Sequence, residues 1–102
     1  MGKQKQLIRE RFRQSVSQRD GYKCRICGDD KQVLDAHHIT DRNQIVNGGY
    51  VKENGIALCP DCHMKAEAFH TTGIAVDGYS PEDLYRIINS SLEKATKAAK
   101  NI

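Results

Sequence analysis

Tryptophan is absent from this 102-residue chain, phenylalanine and proline occur twice each, and only 38% of the residues are hydrophobic. A domain of this size buries only about 60 to 65% of the surface that its unfolded chain exposes. With so few large apolar side chains the core is thin, and a metal or a set of disulfides is expected to supply what burial does not. No apolar run approaches the ~20 residues of a membrane-spanning helix. The start, Met1-Gly2-Lys3-Gln4-Lys5, lacks the apolar stretch of a secretory leader, so a cytoplasmic location is expected. In a reducing compartment thiols stay free, which directs attention from disulfides to metal ligation.

Acidic residues are scarce at one end. Residues 1–23 hold seven Lys/Arg against two acids, 24–79 five against eight, and 80–102 four against three, within a net charge of +3. A basic arm therefore precedes a mildly acidic middle. Such an arm suits a polyanion, of which nucleic acid is the commonest. The plainer reading is a solvated helix face.

From Lys3 to Arg19 there is no Gly or Pro, and Leu7, Ile8, Phe12, Val16 and Arg19 recur at helical spacing, which predicts an amphipathic helix with a narrow apolar stripe. Asp20-Gly21 stops it. Gln32 to Thr40 reads as a strand, Asp41 to Asn54 as a connecting loop, and Ile56-Ala57-Leu58 as a second short strand. Pro60 fits the first turn of a helix that runs to about Thr71 and ends at Gly73. Ser80, Pro81 and Asp83 form a capping box with Asp for Glu, and the stripe Leu84, Ile87, Ile88, Ser91, Leu92, Ala95 predicts one last helix over residues 80–99.

Cys24/Cys27 and Cys59/Cys62 are two Cys-x-x-Cys pairs. Two residues between ligands let one tight turn present both sulfurs to one ion, so four thiolates in this layout match a tetrahedral structural zinc. A disulfide framework and an iron-sulfur cluster are the alternatives. The 31 residues between Cys27 and Cys59 exceed the 15 to 20 of a minimal zinc ribbon. The insert holds His37 and His38. His63 follows Cys62 directly, and Glu67 lies four residues further on, on the same helical face. Neighbouring strand residues point to opposite faces, so His37 and His38 can serve one site only if the strand ends or bulges there. His70, seven residues past His63, is displaced about 10 Å along the helix axis. That is too far for both to hold one ion, and surface packing or a phosphate contact is expected of it.

The segments Arg19-Asp20-Gly21-Tyr22-Lys23-Cys24-Arg25-Ile26-Cys27-Gly28, Asp35-Ala36-His37-His38-Ile39 and Asn54-Gly55-Ile56-Ala57-Leu58-Cys59-Pro60-Asp61-Cys62-His63 together resemble the HNH endonuclease family. The resemblance covers roughly residues 19 to 70. It implies a small α+β zinc-stapled domain with a ββα-metal (His-Me finger) core, flanked by an N-terminal and a C-terminal helix. The single domain over 1–102 then divides into a basic N-terminal helix (1–20), the zinc knuckles and ββα-metal core (21–73), and the C-terminal helix (80–99).

By the same resemblance His38 is the general base, Asn54 the residue that holds the loop and orients the base, and His37 and His63 are ligands of a catalytic ion. Glu67 falls where some members carry a further ligand. Beside one structural zinc, the implied cofactor is one divalent ion, magnesium, manganese, nickel or zinc. The implied activity is hydrolysis of DNA phosphodiester bonds, nicking or cleaving with weak sequence specificity. Lys3, Lys5, Arg9, Arg11, Arg13 and Arg19 would contact phosphates, and no membrane is involved. A protein partner or a homodimer would be needed for double-strand cleavage. A bacterial or phage setting, or a mobile element, is the implied origin. The alternative function is a zinc-stapled nucleic-acid-binding or adaptor module without efficient catalysis.

Overall fold

The computed structural model describes residues 2–102, with side chains from residue 5 onward, and the side chain of Lys3 lies outside the described residues. The elements run α1 (Gly2–Arg19), β1 (Asp35–His38), β2 (Gly55–Leu58), α2 (Pro60–Thr72), α3 (Pro81–Ile87) and α4 (Leu92–Ala99), with three short 3-10 turns between the strands. The strands are antiparallel in a regular register that pairs Asp35 with Leu58, Ala36 with Ala57, His37 with Ile56 and His38 with Gly55.

Alternation along β2 splits the core into two. Ala57 faces α1, where it meets Phe12 and Val16. Ile56 and Leu58 face the other way, into a cluster with Ile39, Ala66, Leu84 and Ala95 that joins the two strands to α2, α3 and α4. Gly55 makes the first contact possible: a Cβ there would stand 2.5 Å from Val16 Cγ2 and 2.7 Å from Phe12 Cε1. Lacking it, α1 lies directly on the sheet.

Arg19, expected as a phosphate contact, is engaged in closing this joint. Its guanidinium donates to both oxygens of Asp20 at 2.8 Å, to the carbonyl of Lys52 and, at 2.6 Å, to that of Gly55. Asp20 in turn accepts from the Ala57 N–H at 2.9 Å, satisfying an edge donor that no strand reaches. The end of α1 is thus bonded to Gly55 and Ala57 of β2 through Arg19 and the adjoining Asp20.

Two elements differ from expectation. β1 begins at Asp35 instead of Gln32, because β2 offers only four residues to pair with, and Val33 is 85% exposed. The C-terminal helix is two helices. α3 starts at the expected capping box, with Ser80 accepting from the Asp83 N–H at 3.1 Å. Asn89 then adopts a left-handed φ of 57°, and Ser91 caps α4 by accepting from the Lys94 N–H at 3.1 Å. This break turns Leu92, part of the expected stripe, out to solvent. α2 ends as expected at Gly73, whose φ of 79° suits a left-handed cap. No helix among the described residues is long and apolar enough to cross a membrane.

Candidate metal centre and catalytic cleft

The four cysteines converge. All are free thiols, and their sulfurs lie within 4.8 Å of one another, with Cys27 and Cys59 3.6 Å apart. A tetrahedral zinc with bonds of about 2.3 Å sets its sulfurs about 3.8 Å apart, so the cluster fits zinc and not a disulfide. Local hydrogen bonds shape each knuckle: the Gly28 N–H closes the first onto the Cys24 carbonyl at 2.8 Å, and the His63 N–H closes the second onto that of Cys59 at 2.8 Å. Burial pushes the Cys24 thiol up, but backbone N–H groups of Cys27, Cys59 and Ile26 outweigh it and bring the pKa down to about 6, which favours the thiolate that a metal needs. The Tyr79 hydroxyl donates to Cys62 Sγ at 3.5 Å.

A cleft of about 380 Å³ opens beside this frame, lined by His37, His38, Asp41, Arg42, His63, Glu67 and His70 among others. His37, 2% exposed, projects from β1 toward α2, and its Nδ1 is 3.4 Å from Glu67 Oε2. Asp35, two residues earlier and on the same face, lies 3.1 Å from His63 Nδ1. The His37 ring is 5.2 Å from that of His63 and 5.3 Å from that of His70. Among the described residues, one ligand atom each from His37, Glu67 and His70 lies within 4.8 Å of the others, a grouping that does not include His63.

His70 therefore stands in the cleft, where the sequence placed it outside. The two histidines are two turns apart on α2, but the His37 ring lies close to both. Its Nε2 also donates to the His38 carbonyl at 3.0 Å.

His38 occupies the opposite face, and no bulge is needed for it to join the site, because β1 ends at this residue. Its ring stacks on Phe12 at 4.5 Å and meets Tyr50 edge-on at 4.8 Å. Burial is the main cause that pushes its pKa down to about 4, and burial also brings His37 to about 3. Both imidazoles are neutral at pH 7. His38 Nε2 is buried with no hydrogen-bond partner among the described residues.

Asn54 is fully buried and all its amide capacity is used. Oδ1 accepts from the Thr40 N–H at 2.9 Å and the Tyr85 hydroxyl at 2.7 Å, and Nδ2 donates to the carbonyls of Thr40 at 3.0 Å and Gly49 at 3.3 Å. Asn54 thereby pins the chain two residues beyond His38. Tyr85 extends the clamp into α3 through a 2.6 Å hydrogen bond with the Thr40 hydroxyl. Nothing in the sequence separated Tyr85 from its apolar neighbours, whereas Arg42 and Asp41, just past the His pair, had a positional signal that went unused.

The basic arm is divided. Arg9 and Arg13 line a hollow of about 290 Å³ with Arg42, His38 and His63, next to the cleft. Lys5 shares another with Arg9 and Arg42, and Arg11 lines one with Leu7 and Ile8.

No curated protein and no solved structure matches the chain. A family model does match: the one described as HNH endonuclease, over residues 24–69, from the first knuckle cysteine through β1 and β2 into the last turns of α2. That segment, which carries both cysteine pairs and the histidine cleft, is similar to the HNH endonuclease family.

Proposed function

We propose that the protein is a divalent-metal-dependent endonuclease that hydrolyses DNA phosphodiester bonds, with β1, β2 and α2 serving as its ββα-metal core. The observation that carries this reading is one cleft lined both by a neutral, ring-stacked His38, whose Nε2 is buried without a partner among the described residues, and by a cluster of nitrogen and carboxylate donors. A water nucleophile at neutral pH needs a base, and the developing charge on phosphate needs a cation.

His38 takes the proton from the attacking water. With its pKa held near 4 it is fully in the basic form at pH 7, and Phe12 and Tyr50 fix its ring while Asn54 fixes the chain after it. A general base of this kind contributes roughly 10² to 10⁴ in rate. His37 and Glu67 hold the ion together with a histidine of α2, a place that the family resemblance gives to His63. Two imidazoles and a carboxylate suit zinc, nickel or manganese and leave positions open. When bound, the ion supplies Lewis-acid stabilisation of the phosphate oxygens and the departing 3′-oxygen. Arg9, Arg13 and Arg42 lie where they would meet backbone phosphates, giving affinity without base readout, so nicking or cleavage with weak sequence preference is expected.

Nicking of supercoiled plasmid, with magnesium, manganese, nickel or zinc in turn, tests this. His38→Ala, shown to be folded by circular dichroism, is expected to lose at least about 100-fold in rate. If no ion supports cutting, or if the variant cuts at the parent rate, the zinc-stapled binding module takes the place of the nuclease.

A further inference from the structure

Along α2 the 1.5 Å rise per residue separates His63 from His70 by about 10 Å. The ring of His37 is nearly equidistant from both, at 5.2 and 5.3 Å. His37 is thus within reach of both, while the rise along α2 makes it difficult for one ion bound to His37 to draw an imidazole from each end of this span. Glu67 lies at the intermediate level, with its carboxylate 3.4 Å from His37 Nδ1. It serves either choice.

One observation decides between the ends. The donor atoms that lie within 4.8 Å of one another belong to His37, Glu67 and His70. The tautomer of His70 is also set: Nε2 donates to the His38 carbonyl at 3.0 Å, which leaves the lone pair on Nδ1. A metal-binding histidine is commonly fixed in this way, with its second nitrogen bonded to a backbone carbonyl or carboxylate. His63 is held in a comparable way, its Nδ1 3.1 Å from the Asp35 carboxylate, so it is the proximity of the donor atoms and not the tautomer that separates the two histidines.

We infer that the third ligand of the cleft's ion is His70 rather than His63, so that His37, Glu67 and His70 form a two-histidine, one-carboxylate set. This rests on the nuclease reading but names a different ligand. Two nitrogen donors against one oxygen favour a transition ion such as nickel or zinc over magnesium. The hydrogen bond from His70 to His38 also ties the ion's ligand to the backbone of the base, so that occupancy of the cleft and placement of His38 are coupled.

Calorimetric titration of the zinc-loaded protein with Ni²⁺ reads this without reference to DNA cutting. His70→Gln keeps a donor for the His38 carbonyl but removes the imidazole. It is expected to weaken Ni²⁺ binding by at least about 100-fold, beyond what loss of an outer-shell partner typically costs. His63→Gln should cost less than tenfold by the same reasoning. Parent-like Ni²⁺ affinity in His70→Gln, or a larger loss in His63→Gln, overturns the inference. Glu67→Gln separates the two levels. If it weakens binding while His70→Gln does not, the metal cleft stands and only the ligand assignment falls. If neither variant matters, the metal cleft itself is wrong.

Discussion

Gly55→Ala adds one methyl group at the point where α1 meets the sheet. Its backbone φ of −127° is ordinary for any residue, so the effect is purely one of space. The new Cβ would stand 2.5 Å from Val16 Cγ2 and 2.7 and 2.8 Å from two Phe12 ring atoms, all on one helix and belonging to residues 0% and 3% exposed. Neither side chain has solvent to swing into, so α1 must move outward. Overpacking of this kind costs about 1–3 kcal/mol, and each kcal/mol lowers the melting temperature by roughly 4–8 °C in a domain near 100 residues. The movement also lifts Phe12 from the ring of His38, whose pKa should climb from about 4 toward the usual 6.5. Urea unfolding and NMR titration of the His38 ring measure the two effects together. In a Val16→Ala background, where the nearest obstructing atom is gone, the cost of Gly55→Ala should shrink. A variant as stable as the parent, with His38 titrating unchanged, refutes the account of how α1 holds the base.

Four further outcomes follow from the geometry. His37 and His38 have folded pKa values of about 3 and about 4, below the unfolded 6.5. Their contribution to stability is therefore complete above about pH 6.5 and is lost as pH falls toward the folded values, because only the unfolded chain takes up protons in that window. Urea midpoints of the protein with its cleft free of metal should fall from pH 7 to pH 4.5, less steeply in His38→Gln. Elemental analysis should find one tightly held zinc per chain, and its removal by a strong chelator, or Cys59→Ser, should abolish the cooperative unfolding transition. Arg19→Ala should cost about 1.5–3 kcal/mol in stability, as loss of charge-assisted bonds to buried groups does. Arg13→Ala should leave stability unchanged and reduce the salt dependence of DNA binding by about one unit of slope.

The features legible in the sequence are those decided within a few residues. The cysteine turns, the Pro60 start and Gly73 stop of α2, and the Ser80 capping box depend on local backbone chemistry and emerge as expected. Spacing on a helix grouped His63 with Glu67 and set His70 two turns away. It could not show that β1 brings the His37 ring within about 5.3 Å of both. The narrow stripe of α1 predicted its inward face at Phe12 and Val16, yet which arginines turn outward depends on the carbonyls of Lys52 and Gly55, distant in sequence, and Arg19 was claimed by them. The break between α3 and α4 was written in Asn89 and Ser91, but the apolar periodicity across it masked the second cap.

Asn54 and Gly55 form an Asn-Gly step, the dipeptide at which a flexible chain deamidates most readily, through attack of the glycine nitrogen on the asparagine side chain. Here the amide is held by Thr40, Gly49 and Tyr85, and the following residues are locked in β2. The fold thus shields its own clamp from chemical ageing. Conversion to aspartate would turn two donors into acceptors facing the Thr40 and Gly49 carbonyls, so a chain that ages while unfolded would lose the means to refold around His38.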